Sequence, residues 1–291
     1  MRYFIVYAHP EPKSLSSHLK NRAVAALEAA GHEVVVSDLY AMGWKAVYDA
    51  KDFPERKDNA PLNYDKASGE AYKTGTQAAD IAEEQQKLLW ADVVVLQFPM
   101  WWYSMPAILK GWVDRVYAYG FAYGVGVHGG GRWGDRFGEG TLKGRRSMIA
   151  MTVGGRMAHY GPHGVNGTMD DLLWPIQHGV LFYPGMDVVP PAIFYEVGNA
   201  NAEAIEAMTQ AYVERLLKIG SVDVIPFRPQ NGGDYDDVQV LKADLDSGVT
   251  GHALHQSEPG FVSNTYLGTS GDYAPRHIPP TSRDAHVSSK D

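Results

Sequence analysis

Three short stretches concentrate side chains able to hold a ligand or move a proton. The first, residues 9–17, runs His9-Pro10-Glu11-Pro12-Lys13-Ser14-Leu15-Ser16-Ser17. Hydroxyls at the start of a helix, beside its unpaired N–H groups and the positive end of its dipole, suit a phosphate. The same serines also suit plain capping of that helix, and the residues alone leave the two readings even. The second stretch, residues 98–106, carries Pro99, Met100, Trp101, Trp102 and Tyr103. Three consecutive large aromatics cannot all enter one core, and an accessible ring there offers a stacking surface to a flat molecule. The third, Thr152-Val153-Gly154-Gly155, lets backbone approach a ligand closely, or is simply a turn.

Weaker candidates have plainer readings. His159 and His163 are four apart, a spacing that chelates on a helix, but they sit among Gly and Pro with no third ligand beside them. Residues 129–134, Gly-Gly-Gly-Arg-Trp-Gly, follow no strong strand and lack a P-loop lysine, so they read as a loop. Asp170-Asp171 fits the first turn of a helix. No Gly-x-Ser-x-Gly elbow occurs.

The elements around these stretches follow from hydrophobic periodicity. Residues 3–8 form an apolar run of strand length, followed by a helix over 18–30 that Gly31 stops and a second strand over 33–36. Residues 41–77 are polar and read as a long excursion. The alternation then resumes: a helix over 76–89, a strand over 91–98, a helix over 107–119 closed by Gly120, and a strand over 146–153. A helix over 169–180 is kinked or broken at Pro175, and a fifth strand over 188–195 precedes a last helix over 202–218. Five apolar strands alternating with helices predict an α/β fold, a flavodoxin-like doubly wound, five-stranded parallel sheet with a C-terminal extension. In such a sheet ligands bind outside the carboxyl ends of the strands, where all three stretches fall. Phosphate cradle, aromatic platform and Gly-Gly backbone together suit a nucleotide-like ligand with a flat ring, such as a flavin.

Residues 1–225 read as one catalytic domain. Residues 226–291 read as an extension, partly irregular, with about the last twenty residues mobile because they have little to bury. The 291 residues carry 26 Lys+Arg against 34 Asp+Glu, a net −8 with no basic run, which argues against nucleic acid. The absence of Cys excludes disulfides, thiolate nucleophiles and Cys-bound metals. No apolar run is long enough for a membrane span, and the first residues lack a signal-peptide core, so a cytoplasmic location is expected.

Taken together, residues 7–14, 36–42, 97–116, 152–155, 164–167 and 173–179 closely resemble the NAD(P)H:quinone oxidoreductase family of flavodoxin-like, FAD-dependent reductases, over roughly residues 1–220. The resemblance implies that His9, Ser14, Leu15 and Ser16 hold the flavin pyrophosphate and ribityl chain. It implies that Pro99, Met100, Trp101, Trp102 and Tyr103 line the isoalloxazine, and that Thr152, Gly154 and Gly155 bond its polar edge. Tyr123, Tyr160, Asn166 and Tyr183 would surround the open face where nicotinamide and quinone alternate, in a pocket shared by a homodimer. Some relatives carry a proton-relaying His where Asn166 stands, others Asn; Asn does not titrate, and His163 is the neighbouring candidate for that role. Some relatives also place an Arg near the adenine of FAD where Ile205 stands, which weakens FAD relative to FMN without reversing the choice.

The activity implied is ping-pong hydride transfer from NADH or NADPH through FAD to a quinone, with Tyr160, Asn166 and His163 as the catalytic group. Azo- or nitro-compound reduction on the same flavin is the alternative within enzymes. A regulatory ancillary flavoprotein of a potassium-efflux system is the alternative from another class.

Overall fold

A computed structural model describes residues 1–56, 61–245, 248–258 and 261. The chain begins β1 (Arg2–Tyr7), α1 (Leu15–Ala29), β2 (Glu33–Asp38), then α2 (Tyr64–Thr74), α3 (Ala79–Trp90), β3 (Val93–Pro99) and α4 (Ala107–Val116). It continues with a two-residue hairpin, β4 (His128–Gly129) and β5 (Arg132–Trp133), then β6 (Arg146–Thr152), α5 (Met169–Ile176), β7 (Asp187–Val188), β8 (Ala192–Phe194) and α6 (Ala202–Leu217). The main sheet has the parallel order β2-β1-β3-β6, with β7 and β8 both paired to the outer side of β6. This is the doubly wound order expected, and its first crossover reverses beside β1.

Both faces of the sheet are covered, which is why its strands are apolar at nearly every position. Phe4, Val6, Val94, Leu96 and Phe98 face one core with Leu109 and Trp112 of α4. Tyr3, Ile5, Val93 and Val95 face the other with Leu19 of α1 and Tyr212 of α6.

Several boundaries differ from the sequence reading. The excursion over 41–77 contains α2, an 11-residue helix capped by Asn63, whose side chain accepts from Lys66 N–H, and stopped by Gly75 at φ 70°. Its polar composition hid it; the two caps are the signal that could have found it. Helix α1 starts at Leu15 because Ser14 caps it, three residues earlier than periodicity suggested. Helix α4 ends at Val116, so 117–119 are not helical. The fifth strand is split into β7 and β8 by Pro190-Pro191, which supply no N–H to the ladder. Past Pro175 the helix does not break: α5 continues into a π-helical turn, Gln177–Phe182.

The rest of the excursion is anchored by charge. Arg115 of α4, its side chain 1% exposed, donates from Nε and Nη2 to Asp52 Oδ1 at 3.0 and 2.8 Å and from Nη1 to Asp80 Oδ2 at 2.8 Å. Lys45 Nζ joins Asp52 at 2.9 Å, and the Trp44 ring lies 4.5 Å from the Arg115 guanidinium. Gly111 lets this segment cross α4, since a Cβ there would sit 2.1 Å from the Ala46 carbonyl oxygen. The chain after α6 returns to the domain: Ile225 N–H donates to Val188 O at 2.7 Å, the Phe227 and His252 rings pack on Trp174 of α5, and Phe227 also meets His178 of the π-helical turn. The expectation of mobility for about the last twenty residues falls outside the described residues.

Candidate functional site

The carboxyl ends of β1, β3 and β6 are stitched to one another. Ser14 Oγ accepts from Ser17 N–H at 3.1 Å, so the capping role weighed for this turn is filled by Ser14. Ser16 is free of that task; it is 2% exposed and its hydroxyl lies 3.1 Å from that of Thr152 at the end of β6. The cap thus occupies Ser14 and leaves Ser16 to Thr152, and the first N–H groups of α1 have no partner from within the helix. His9 is half-buried; its Nδ1 accepts from Glu11 N–H at 3.0 Å, which places its own proton on Nε2, and burial lowers its pKa.

Gln97 is a residue the sequence reading passed over. It is buried in β3, where Nε2 donates to Ser16 O at 2.8 Å and Oε1 accepts from Tyr212 OH at 3.1 Å. The signal was present: one amide in the otherwise apolar run 93–99 needs a polar partner.

The aromatic stretch forms a tight turn. Trp101 and Ser104 exchange backbone bonds at 3.0 and 3.1 Å, and the two central residues, Trp102 and Tyr103, take φ of 49° and 63°. Aromatic side chains in that left-handed region carry strain that usually persists where it serves a site. Pro99 ends β3, and Met100 N–H donates to Thr152 O at 2.9 Å, tying the turn to β6. Trp101 and Tyr103 are exposed, and Trp102 is 95% exposed.

Beyond Thr152, Gly154 is open, with nothing within 4 Å of a Cβ placed there, whereas Gly155 lies against Tyr160, whose hydroxyl would be 3.0 Å from such a Cβ. Tyr160 is buried; burial raises its pKa, the neighbouring Tyr103 adds to this, and a hydrogen bond with Asn166 opposes it. Tyr103 OH donates to Asn166 Oδ1 at 2.8 Å, and Asn166 N–H donates to His159 O at 3.0 Å. Tyr103 and Asn166 thus form a hydrogen-bonded pair, with Tyr160 grouped beside them against Gly155. His163 is exposed on the same loop and stands outside that group. No group of three or more metal-ligating side chains occurs among the described residues.

Tyr123 and Tyr183 lie elsewhere. They share a hollow of about 390 Å³ with Tyr48, Asp114, Tyr117 and Gly179. Tyr123 OH donates to Asp65 Oδ1 at 2.7 Å, and burial, followed by that carboxylate, raises its pKa. Among the described residues, one chain does not join this hollow to the Tyr160 group.

The arrangement fits a flavin. Donors at the start of α1, a half-exposed aromatic turn and open backbone at Gly154 lie along one sheet edge, matching in kind the phosphates, rings and polar rim of such a molecule.

Comparison with known proteins places this geometry among relatives. A family model described as flavodoxin-like fold matches residues 1–216. A human ribosyldihydronicotinamide dehydrogenase [quinone] is 40% identical over 226 residues, 77% of this chain and 94% of that protein. Rat NAD(P)H dehydrogenase [quinone] 1 is 36% identical over 231 residues, 79% of this chain and 81% of its own length. A solved structure from Klebsiella pneumoniae, provisionally described as a quinone reductase, is 52% identical with a TM-score of 0.86, covering 88% of this chain and 99% of that one. Among the described residues no helix is long and apolar enough to cross a membrane.

Proposed function

The chain belongs to the flavodoxin-like family that includes the NAD(P)H:quinone oxidoreductases, and from that premise we propose how its residues divide the work of quinone reduction. The chain is a flavin-dependent NAD(P)H:quinone oxidoreductase. The observation that carries the residue assignment is the Tyr103–Asn166–Tyr160 group beside Gly155, at the sheet edge where the three loops are stitched together.

In this reading His9, Ser14, Leu15 and Ser16 hold the pyrophosphate and ribityl chain of FAD, rather than of FMN. Pro99, Met100, Trp101, Trp102 and Tyr103 flank its ring, and Thr152, Gly154 and Gly155 bond its polar edge. A bound flavin would supply two-electron hydride chemistry between NADH or NADPH and a quinone, the two using one site in turn. Tyr160 keeps its proton at neutral pH because burial raises its pKa, so its hydroxyl donates to the quinone oxygen as negative charge develops there. Asn166 does not titrate; it orients the two tyrosyl hydroxyls, and the exposed His163 on the same loop supplies the proton from solvent. Tyr123 and Tyr183 complete the acceptor side from a second copy of the chain, which explains why one chain leaves their hollow apart from Tyr160.

Replacement Tyr160→Phe tests the assignment by stopped flow. Oxidation of the reduced enzyme by quinone is expected to slow roughly tenfold to a hundredfold with flavin still bound. An unchanged rate removes Tyr160 from the reaction. Heat release of the cofactor followed by chromatography decides between FAD and FMN.

A further inference from the structure

Next to the tyrosine hollow lies a smaller one that the proposed reaction does not use. It holds about 170 Å³, between residues 136–137, the π-helical turn and the chain that returns after α6, with Arg136, Phe137, His178, Arg228, Tyr235 and His255 on its walls. Arg136 Nε donates to Gln230 Oε1, and among the described residues no carboxylate pairs with this guanidinium. The neighbouring acids are engaged elsewhere: Asp135 with Arg132, and Glu139 with Arg132 and Asn231. Arg228 is buried and fixed, its Nε donating to Leu254 O at 3.1 Å and its Nη1 to Asp234. Tyr235, pushed up to about 12 by burial, keeps its proton, and its hydroxyl lies 2.9 Å from Nδ1 of His255, whose pKa burial lowers. Two guanidinium groups against the single Asp234 carboxylate leave one net positive charge here, on a chain whose overall charge is −8.

The two hollows share a wall. Phe137 meets the Tyr183 ring edge-on at 4.8 Å, and its N–H donates to Tyr183 O at 2.9 Å. The Arg136 guanidinium carbon is 5.8 Å from the centre of the Tyr183 ring. His178 lines the small hollow and the next residue, Gly179, lines the large one.

From this juxtaposition we infer that the pocket at Arg136 is a subsite for an anionic group, phosphate, carboxylate or sulfonate, on a molecule whose ring occupies the tyrosine hollow. Arg136 selects that molecule by charge, countering the repulsion that the acidic chain exerts on any anion. The identity of the molecule rests on the function proposed above; the existence of the anion site does not. The anion comes from one of two sources, the nicotinamide nucleotide or an acidic acceptor.

The test uses the flavin-loaded protein and the variants Arg136→Gln and Arg136→Lys. Titration calorimetry with inorganic pyrophosphate at low salt is expected to show saturable binding, weakened roughly 10- to 100-fold in Arg136→Gln and less in Arg136→Lys. Equal binding by wild type and Arg136→Gln, or no saturable binding by wild type, overturns the site. Steady-state KM then identifies the source. A rise of about tenfold for NADPH and not NADH points to the 2′-phosphate. A rise for both but not for dihydronicotinamide riboside points to the pyrophosphate, and a rise for a sulfonated but not a neutral quinone points to the acceptor. Equal changes for charged and neutral partners overturn selection by charge. If no donor–acceptor pair turns over, the proposed function fails while calorimetry still decides the site.

Discussion

Replacing Gln97 with Leu removes the amide that joins the turn after β1 to the last helix. Gln97→Leu leaves the Ser16 carbonyl without its 2.8 Å donor and the Tyr212 hydroxyl without its 3.1 Å acceptor, both in the interior. An unmade buried hydrogen bond costs about 1–3 kcal/mol on each side, and the added apolar side chain offsets part of this, so a net loss of about 2–5 kcal/mol is expected. For a domain of this size that lowers the unfolding midpoint by about 5–15 °C. Flavin affinity should fall as well, because Ser16 loses the anchor that sets its height against Thr152. Thermal and urea unfolding of wild type, Gln97→Leu, Tyr212→Phe and the double variant form a cycle. The double variant should recover about 1 kcal/mol of the loss, since it no longer buries an unpaired hydroxyl. If Gln97→Leu lies within about 0.5 kcal/mol of wild type, or the two changes simply add, the amide does not hold the turn.

Three further changes address the scaffold and its pH response. Asp52→Ala leaves the buried Arg115 with the partly exposed Asp80 as its carboxylate partner and the Lys45 carbonyl, so urea unfolding should show a loss of about 3–5 kcal/mol. Gly111→Ala drives a methyl into the Ala46 carbonyl and should cost about 3 kcal/mol or more by the same measurement, loosening the segment that carries Tyr48. His178 is pushed down to about 3 by burial, with repulsion from His255 and His252 added, and its ring stacks on Trp174 at 4.3 Å, which in turn stacks on His252 at 4.4 Å. Its neutral form is favoured in the folded chain, so its contribution is complete above the unfolded pKa of about 6.5 and is lost as pH falls below it, by about 2 kcal/mol at pH 5. The difference in stability between wild type and His178→Phe, measured by urea unfolding across pH 5–8, should carry that slope; parallel curves would refute it.

The amino-acid pattern alone settled the fold class, because burial on both sheet faces writes itself as near-continuous apolar runs such as 3–8 and 91–98, and amphipathic helices between them force a parallel, doubly wound order. It also determined that the hydroxyl turn, the aromatic turn and the Gly-Gly pair share one edge, since strand polarity alone puts all three at carboxyl ends. Helix α2 escaped because a polar helix shows little period, and the split of β7 from β8 escaped because Pro190-Pro191 was read within a strand rather than as a gap in its ladder. Contacts between residues far apart in the chain emerged with the folded structure alone. Gln97 reaching Ser16 and Tyr212, Arg115 gathering Asp52 and Asp80, Tyr103 meeting Asn166, and the chain after residue 226 bringing Arg228 and His255 to Arg136 and His178 are of this kind. Periodicity records which face of an element is buried, whereas a hydrogen bond across 35 or more residues depends on how those faces are brought together, and no local pattern encodes that.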